Sequence, residues 1–295
     1  MISPGQLVGD PPTPSEQPRH AAPHEQRPGS RHLEDAPIAA PLVEVVRLLR
    51  YHAYVADYAE IDAVLAQLRD CDDVEGIVIF GSHARNELQV TSDIDLLVVH
   101  SESLRPVNVR LLIKQSVPAD LCHRVSATCF TRKILLHEFD KNPSFATHLA
   151  DEGIILHKRE SFDPVEHRLN STQLSADMLT RELAARTRKL HLFRNLERFN
   201  GEFVPCLARL YAIGRSVVII KLLQHDIHEY SWRRLFDAYA SIHPELEPDL
   251  SRIESLRPCY EHVHDRRSSL PGTWTRIDPR RVNETIDSIS TLAAS

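Results

Sequence analysis

Val74 to Phe80 reads Val-Glu-Gly-Ile-Val-Ile-Phe, a short, apolar, β-branched run with the length and composition of a buried strand. Leu96-Leu97-Val98-Val99 is a second such core segment. Val107 to Val117 has the spacing of a helical crossover, and Asp120 to Phe130 alternates partly and reads as a third strand. Upstream, Leu42, Val45, Val46 and Leu49, then Ile61, Val64, Leu65 and Leu68, recur at three and four. This predicts one helix, or two, between Pro41 and Arg69, packed on the sheet.

Beyond Glu160 the strand signals vanish. Leu174–Phe199, Phe203–His225, Trp232–Ile242, Leu246–His264 and Val282–Leu292 all carry helical spacing, with turns marked by Gly201 and Pro244. Long helices on short turns predict an antiparallel bundle. Its most buried helix is expected to carry Leu210, Ile213, Val217, Val218, Ile220, Leu222 and Leu223. The first forty residues hold many of the prolines with almost no apolar pattern, which reads as a disordered tail. The fold class expected is α+β over 41–160, a sheet with flanking helices, followed by an all-α bundle over 161–295.

The net charge of −6 disfavours a general polyanion binder. The acidity lies in the part before Glu160. Arg181, Arg186, Arg188, Lys189, Arg194 and Arg198 form a basic run that reads more simply as a solvated helix face. Five scattered cysteines without a Cys-x-x-Cys predict reduced thiols in a cytoplasmic protein. The start lacks a signal peptide's basic and apolar blocks, and no run approaches the ~18 apolar residues of a membrane span.

Two features change this picture from structure to chemistry. Gly81 ends the first strand, where its backbone freedom allows a sharp turn and close approach to a ligand. Ser82 follows at a position suited to cap a helix whose first turn is His83-Ala84-Arg85-Asn86-Glu87. Free amides and a positive dipole end there favour an anion, so Gly81, Ser82 and Arg85 are candidates for binding a terminal phosphate. The second feature is Asp93-Ile94-Asp95. Carboxylates two apart on a strand share a face and repel unless a cation neutralises them. Magnesium does this through oxygen ligands while retaining bound phosphates. A third carboxylate is expected nearby, with Asp120 the candidate by its order along the chain.

Gly81-Ser82, ten residues, then Asp93-Ile94-Asp95 resembles the signature of the minimal nucleotidyltransferases, within the superfamily that includes DNA polymerase β. The resemblance covers about Pro41 to Glu160, and Phe145 to His157 resembles the closing helix and strand of such domains. It implies transfer of a nucleoside monophosphate from an NTP, ATP being the expected substrate, with pyrophosphate released. Asp93, Asp95 and Asp120 would hold Mg²⁺ or Mn²⁺, and Ser82 the phosphates. Asn86 stands where the family often has glycine. Acceptors consistent with the resemblance are a protein side chain, the 3′ end of tRNA, or a small molecule.

The helical part resembles, more weakly, the HEPN family often paired with such transferases. Its RNase members carry an arginine, four to six residues, then a histidine. Arg257 with His262 or His264 fits that spacing, but so does Arg186 with His191, and Pro258 replaces the usual polar neighbour. A helical lid or acceptor platform is the expected role, with a homodimer through this domain the expected assembly and an RNase or a toxin–antitoxin-like regulatory protein the alternative. Tyr260 is a conceivable internal target. His225, His228, His262 and His264 lack partners at zinc spacing and read as ordinary surface or helix-end histidines.

Overall fold

The fold is described, from a computed structural model, for residues 59–85, 87, 93–117, 124–199, 203–265 and 278–295. The tail expected over 1–40, the helical pattern from Pro41 to residue 58, Gly201 and Asp120 lie outside the described residues. All that is described falls in one compact unit.

Among the described residues four strands form one mixed sheet in the order β3-β2-β1-β4. Strand β1 (Val74–Phe80) pairs antiparallel with β2 (Ile94–His100) and with β4 (Ile154–Lys158), while β3 (Val125–Thr131) lies parallel to β2. Helix α1 (Ala59–Asp70) precedes β1, and α2 (Pro106–Ser116) is the crossover between β2 and β3. Both faces of the central strands are covered. Ile77, Ile79, Ile94, Leu96 and Val98 face Leu65, Leu68, Val109 and Ile113 from α1 and α2. The alternate residues Val78, Leu97 and Val99 face Leu135, Phe139, Ala146 and Leu149. Those come from α3 (Arg132–Lys141) and α4 (Pro143–Glu152). A sheet buried on both sides explains why its strands read as unbroken apolar runs rather than alternating ones.

Helix α3 has no counterpart in the sequence reading. Thr131 ends β3 and its side chain accepts from the Ile134 amide, so strand and helix join without a loop. Helix α5 (Asp163–Asn170) follows β4, and its Val165 and Leu169 join the core under the sheet, as does Phe162 before it.

The remaining helices are α6 (Ala176–Thr187), α7 (Phe203–Gln224), α8 (Leu235–Ile242), α9 (Glu247–Glu254), α10 (Arg257–Asp265) and α11 (Pro279–Ala294). Helix α7 is the centre, contacting the other five. With 22 residues and a mean hydropathy of 1.6 over its most apolar window, it has the length and composition of a membrane span, contrary to the expectation from sequence. Half of that window is buried by neighbouring helices, which gives α7 the position of a core helix. Every residue expected at its core is buried except Ile213, which is partly buried.

Three other boundaries differ from expectation. The helix expected over Leu174–Phe199 stops at Thr187 and gives way to two 3₁₀ turns. Trp232 to Arg234 form a turn before α8. Leu246–His264 divides into α9 and α10, because Pro258 has no amide hydrogen and must lie in a first turn, so a new helix begins at Arg257.

One buried carboxylate joins the sheet layer to the helices. Helix α4 lacks a side-chain cap from Asn142, yet the carboxylate of Glu182 on α6 accepts from the Ser144 amide (2.9 Å) and the Ser144 hydroxyl (2.7 Å). Arg186 donates to the same carboxylate at 3.1 Å and to Asn142 Oδ1 at 3.0 Å. A group from another helix thus satisfies an amide at the start of α4.

Candidate active site

The site forms where β1 leaves the sheet and β2 enters it. Phe80 is the ladder partner of Asp95, and Gly81 is the next residue. Gly81 has φ of +75°, a conformation that L side chains rarely adopt. A Cβ there would stand 2.7 Å from Asp95 Oδ2, so the backbone of the turn passes directly against the carboxylate. Glycine is required at this point for both reasons.

From Gly81 the chain does not continue as the expected helix among the described residues. It forms a turn in which the Arg85 amide donates to the Gly81 carbonyl (3.1 Å) and the Glu87 amide to the Ser82 carbonyl (3.0 Å). The second bond spans one residue more than an α-helical bond, so the turn widens instead of propagating. Ser82 is half-buried in this turn.

Asp93 immediately precedes β2 and Asp95 is its second residue, so the strand's alternation directs both to the face occupied by Leu97 and Val99. Both are partly exposed, as a ligand-binding carboxylate must be. His83 braces this pair. It is 3% exposed and hydrogen-bonds to the Asp93 backbone, linking the turn to the head of β2. Burial first, then the nearby Arg124 charge, hold its pKa down to about 4, so the ring is neutral at physiological pH.

Asp120, expected as the third carboxylate, lies outside the described residues. Ser126 is level with Asp95, and the Ile94 amide donates to the Arg124 carbonyl (2.7 Å) at the head of the parallel pair. Among the described residues no group of three or more histidine, cysteine, aspartate or glutamate side chains converges on a common point.

Arg85 turns toward two carboxylates. Its Nε lies 2.9 Å from Glu87 Oε2 and its Nη1 2.6 Å from Glu152 Oε2. Glu152 also meets His148 Nε2 at 2.8 Å. The His148 ring stacks on Tyr230 (4.4 Å between centroids) and meets the edge of Phe80 at 5.7 Å. Tyr230 donates to Asp151 Oδ2 at 2.8 Å. Burial and the Asp151 charge raise the Tyr230 pKa, keeping its hydroxyl a donor. Glu152, His148 and Tyr230 had no signal in the sequence, because they come from α4 and from a turn nearly eighty residues further on. His83 lies inside the motif, but the sequence reading gave it no role beyond the first turn after Ser82.

The histidines at 225 and 228 are engaged locally: His228 Nδ1 meets Asp151 at 2.6 Å, and His225 lies edge-on to His243. Arg257 meets Glu261 Oε1 at 2.6 Å through Nε and lies over the Trp232 ring, 3.1 Å from its centroid. Tyr260 lies between Tyr211 and His264. Arg186, the other arginine at RNase-like spacing, belongs to the Glu182 network.

Residues 61–162 match the family model described as polymerase beta, nucleotidyltransferase. This range holds the whole sheet and the Gly81–Asp95 site, and makes the region a nucleotidyltransferase-type domain. No curated protein sequence matches the chain. Among solved structures, the chain is similar to a nucleotidyltransferase-like protein from Exiguobacterium sibiricum, at 14% identity and a TM-score of 0.32, over 80% of this chain and 73% of that one. A likeness of that degree carries no argument by itself.

Proposed function

We propose that this protein transfers a nucleoside monophosphate from an NTP to a nucleophile on a protein, an RNA or a small molecule. The observation that carries the reading is the meeting of Gly81 with Asp95. It brings a backbone turn suited to phosphates and an acidic pair suited to a cation to a single point. Ser82 and the turn amides would receive the phosphates, and Asp93 and Asp95 would hold a divalent ion, magnesium or manganese, with Asp120 proposed as the third carboxylate. Such an ion, when bound, neutralises the phosphates and stabilises entering and leaving oxygens. The protein's share is orientation: the strand fixes the carboxylates, and neutral His83 fixes the turn against them.

The test is transfer of label from α-phosphate-labelled NTPs, with Mg²⁺ or Mn²⁺, to the protein itself, to total RNA and to a lysate, beside Asp93→Ala. A labelled species absent from the variant supports the reading and names the acceptor class. Equal labelling in both, or none with any nucleotide and a folded protein, rejects it.

A further inference from the structure

The turn at Gly81–Glu87 is held from outside its own domain. Arg234, which precedes α8, places Nη1 2.8 Å from Glu87 Oε1 and Nε 2.7 Å from Glu229 Oε2. Glu87 in turn holds Arg85, and Arg85 reaches Glu152. Burial alone would raise the Glu87 carboxyl, but the hydrogen bond from Arg85 and the Arg85 and Arg234 charges hold it below the ordinary range. The same segment supplies Tyr230, stacked on His148 beside Glu152. Two contacts from one segment, residues 230–234, therefore close on the turn and on α4 together.

We propose that Arg234 is a positioning residue for the nucleotide: it holds the Gly81–Glu87 turn, through Glu87 and Arg85, in the form that receives the phosphates. This rests on the transferase reading for its ligand, while the holding itself is read directly. Arg234 is mostly exposed, with 59% of its side-chain surface accessible, so its loss changes global stability little. A purely structural role therefore predicts almost no effect of its removal. A positioning role predicts a specific one.

The experiment uses the full chain with Arg234→Ala and Arg234→Lys. Hydrogen exchange at the Arg85 and Glu87 amides, both bonded within the turn, is expected to rise about tenfold in Arg234→Ala while the β2 amides keep their protection. The lysine variant, which retains the charge, restores most of it. In labelled transfer the KM for NTP rises about tenfold with kcat little changed. Unchanged exchange at the two amides overturns the proposal whether or not the protein transfers nucleotide. Faster exchange with unchanged KM in a protein that does transfer also overturns it. Absence of transfer in the parent protein counts against the reaction, and the exchange result then decides the holding role alone.

Discussion

Replacing Glu182 by alanine tests how the sheet layer and the helical bundle are joined. The carboxylate is 2% exposed and takes three donors: the Ser144 amide, the Ser144 hydroxyl and an Arg186 nitrogen. Removing it leaves the two Ser144 donors buried without an acceptor, at about 1–3 kcal/mol each. Arg186 is 38% exposed and recovers water, so its loss adds little. Relief of the carboxylate's own desolvation offsets part of the total. The net expectation is a loss of about 3 kcal/mol. Glu182→Gln keeps one acceptor oxygen but turns an amide toward a donor, and should lose about half as much. The assay is urea unfolding followed by tryptophan fluorescence, Trp232 lying on the helical side. A loss of this size moves the midpoint down by about 1–2 M. A shift below about 0.3 M in the alanine variant would refute the reasoning, because it would mean that water already serves the start of α4.

Gly81→Ala should fold with a loss of about 1–2 kcal/mol from the left-handed backbone. Its Cβ displaces the Asp95 carboxylate, so transfer should fall about 100-fold; near-parental transfer would contradict the site geometry. His83 gives a pH dependence. Its folded pKa, about 4, lies below the ordinary 6.5. The unfolded chain therefore takes up the proton first as pH falls, and the stability present above 6.5 is lost toward 4. Between pH 7.5 and 5 this amounts to about 2 kcal/mol, and urea midpoints at the two pH values should converge in His83→Gln relative to the parent; an unchanged slope would exclude it as the cause. Leu210→Ala, at a fully buried position on α7, should lose about 2–5 kcal/mol by thermal or urea unfolding, and a loss under 1 kcal/mol would show that α7 is not the bundle's centre.

The local elements of the sheet were legible because they are dictated by short-range physics. Val74–Phe80 is apolar and β-branched over the length of one strand, and it forms that strand without a residue's difference. The crossover expected over Val107–Val117 forms over Pro106–Ser116. The motif Gly81-Ser82…Asp93-Ile94-Asp95 was visible because residue type and spacing alone mark it. The division of Leu246–His264 follows from Pro258, whose ring permits a helix only in its first turn. The spacing of the apolar residues carries no trace of that break.

Tertiary structure decided what is distant in sequence. The meeting of the Gly81 backbone with Asp95 depends on the antiparallel register of β1 and β2. The neutrality of His83 depends on its burial and on the Arg124 charge brought near it. The partners of Arg85 and Glu87, namely Glu152 on α4 and Arg234 before α8, are 67 and 147 positions away from the residues they hold. A single chain announces its strands and its reactive side chains through composition and period. Which of those side chains are braced, neutralised or held in place is set by contacts between segments that share no local pattern. Those contacts exist only once both faces of the sheet and the α7 core are buried.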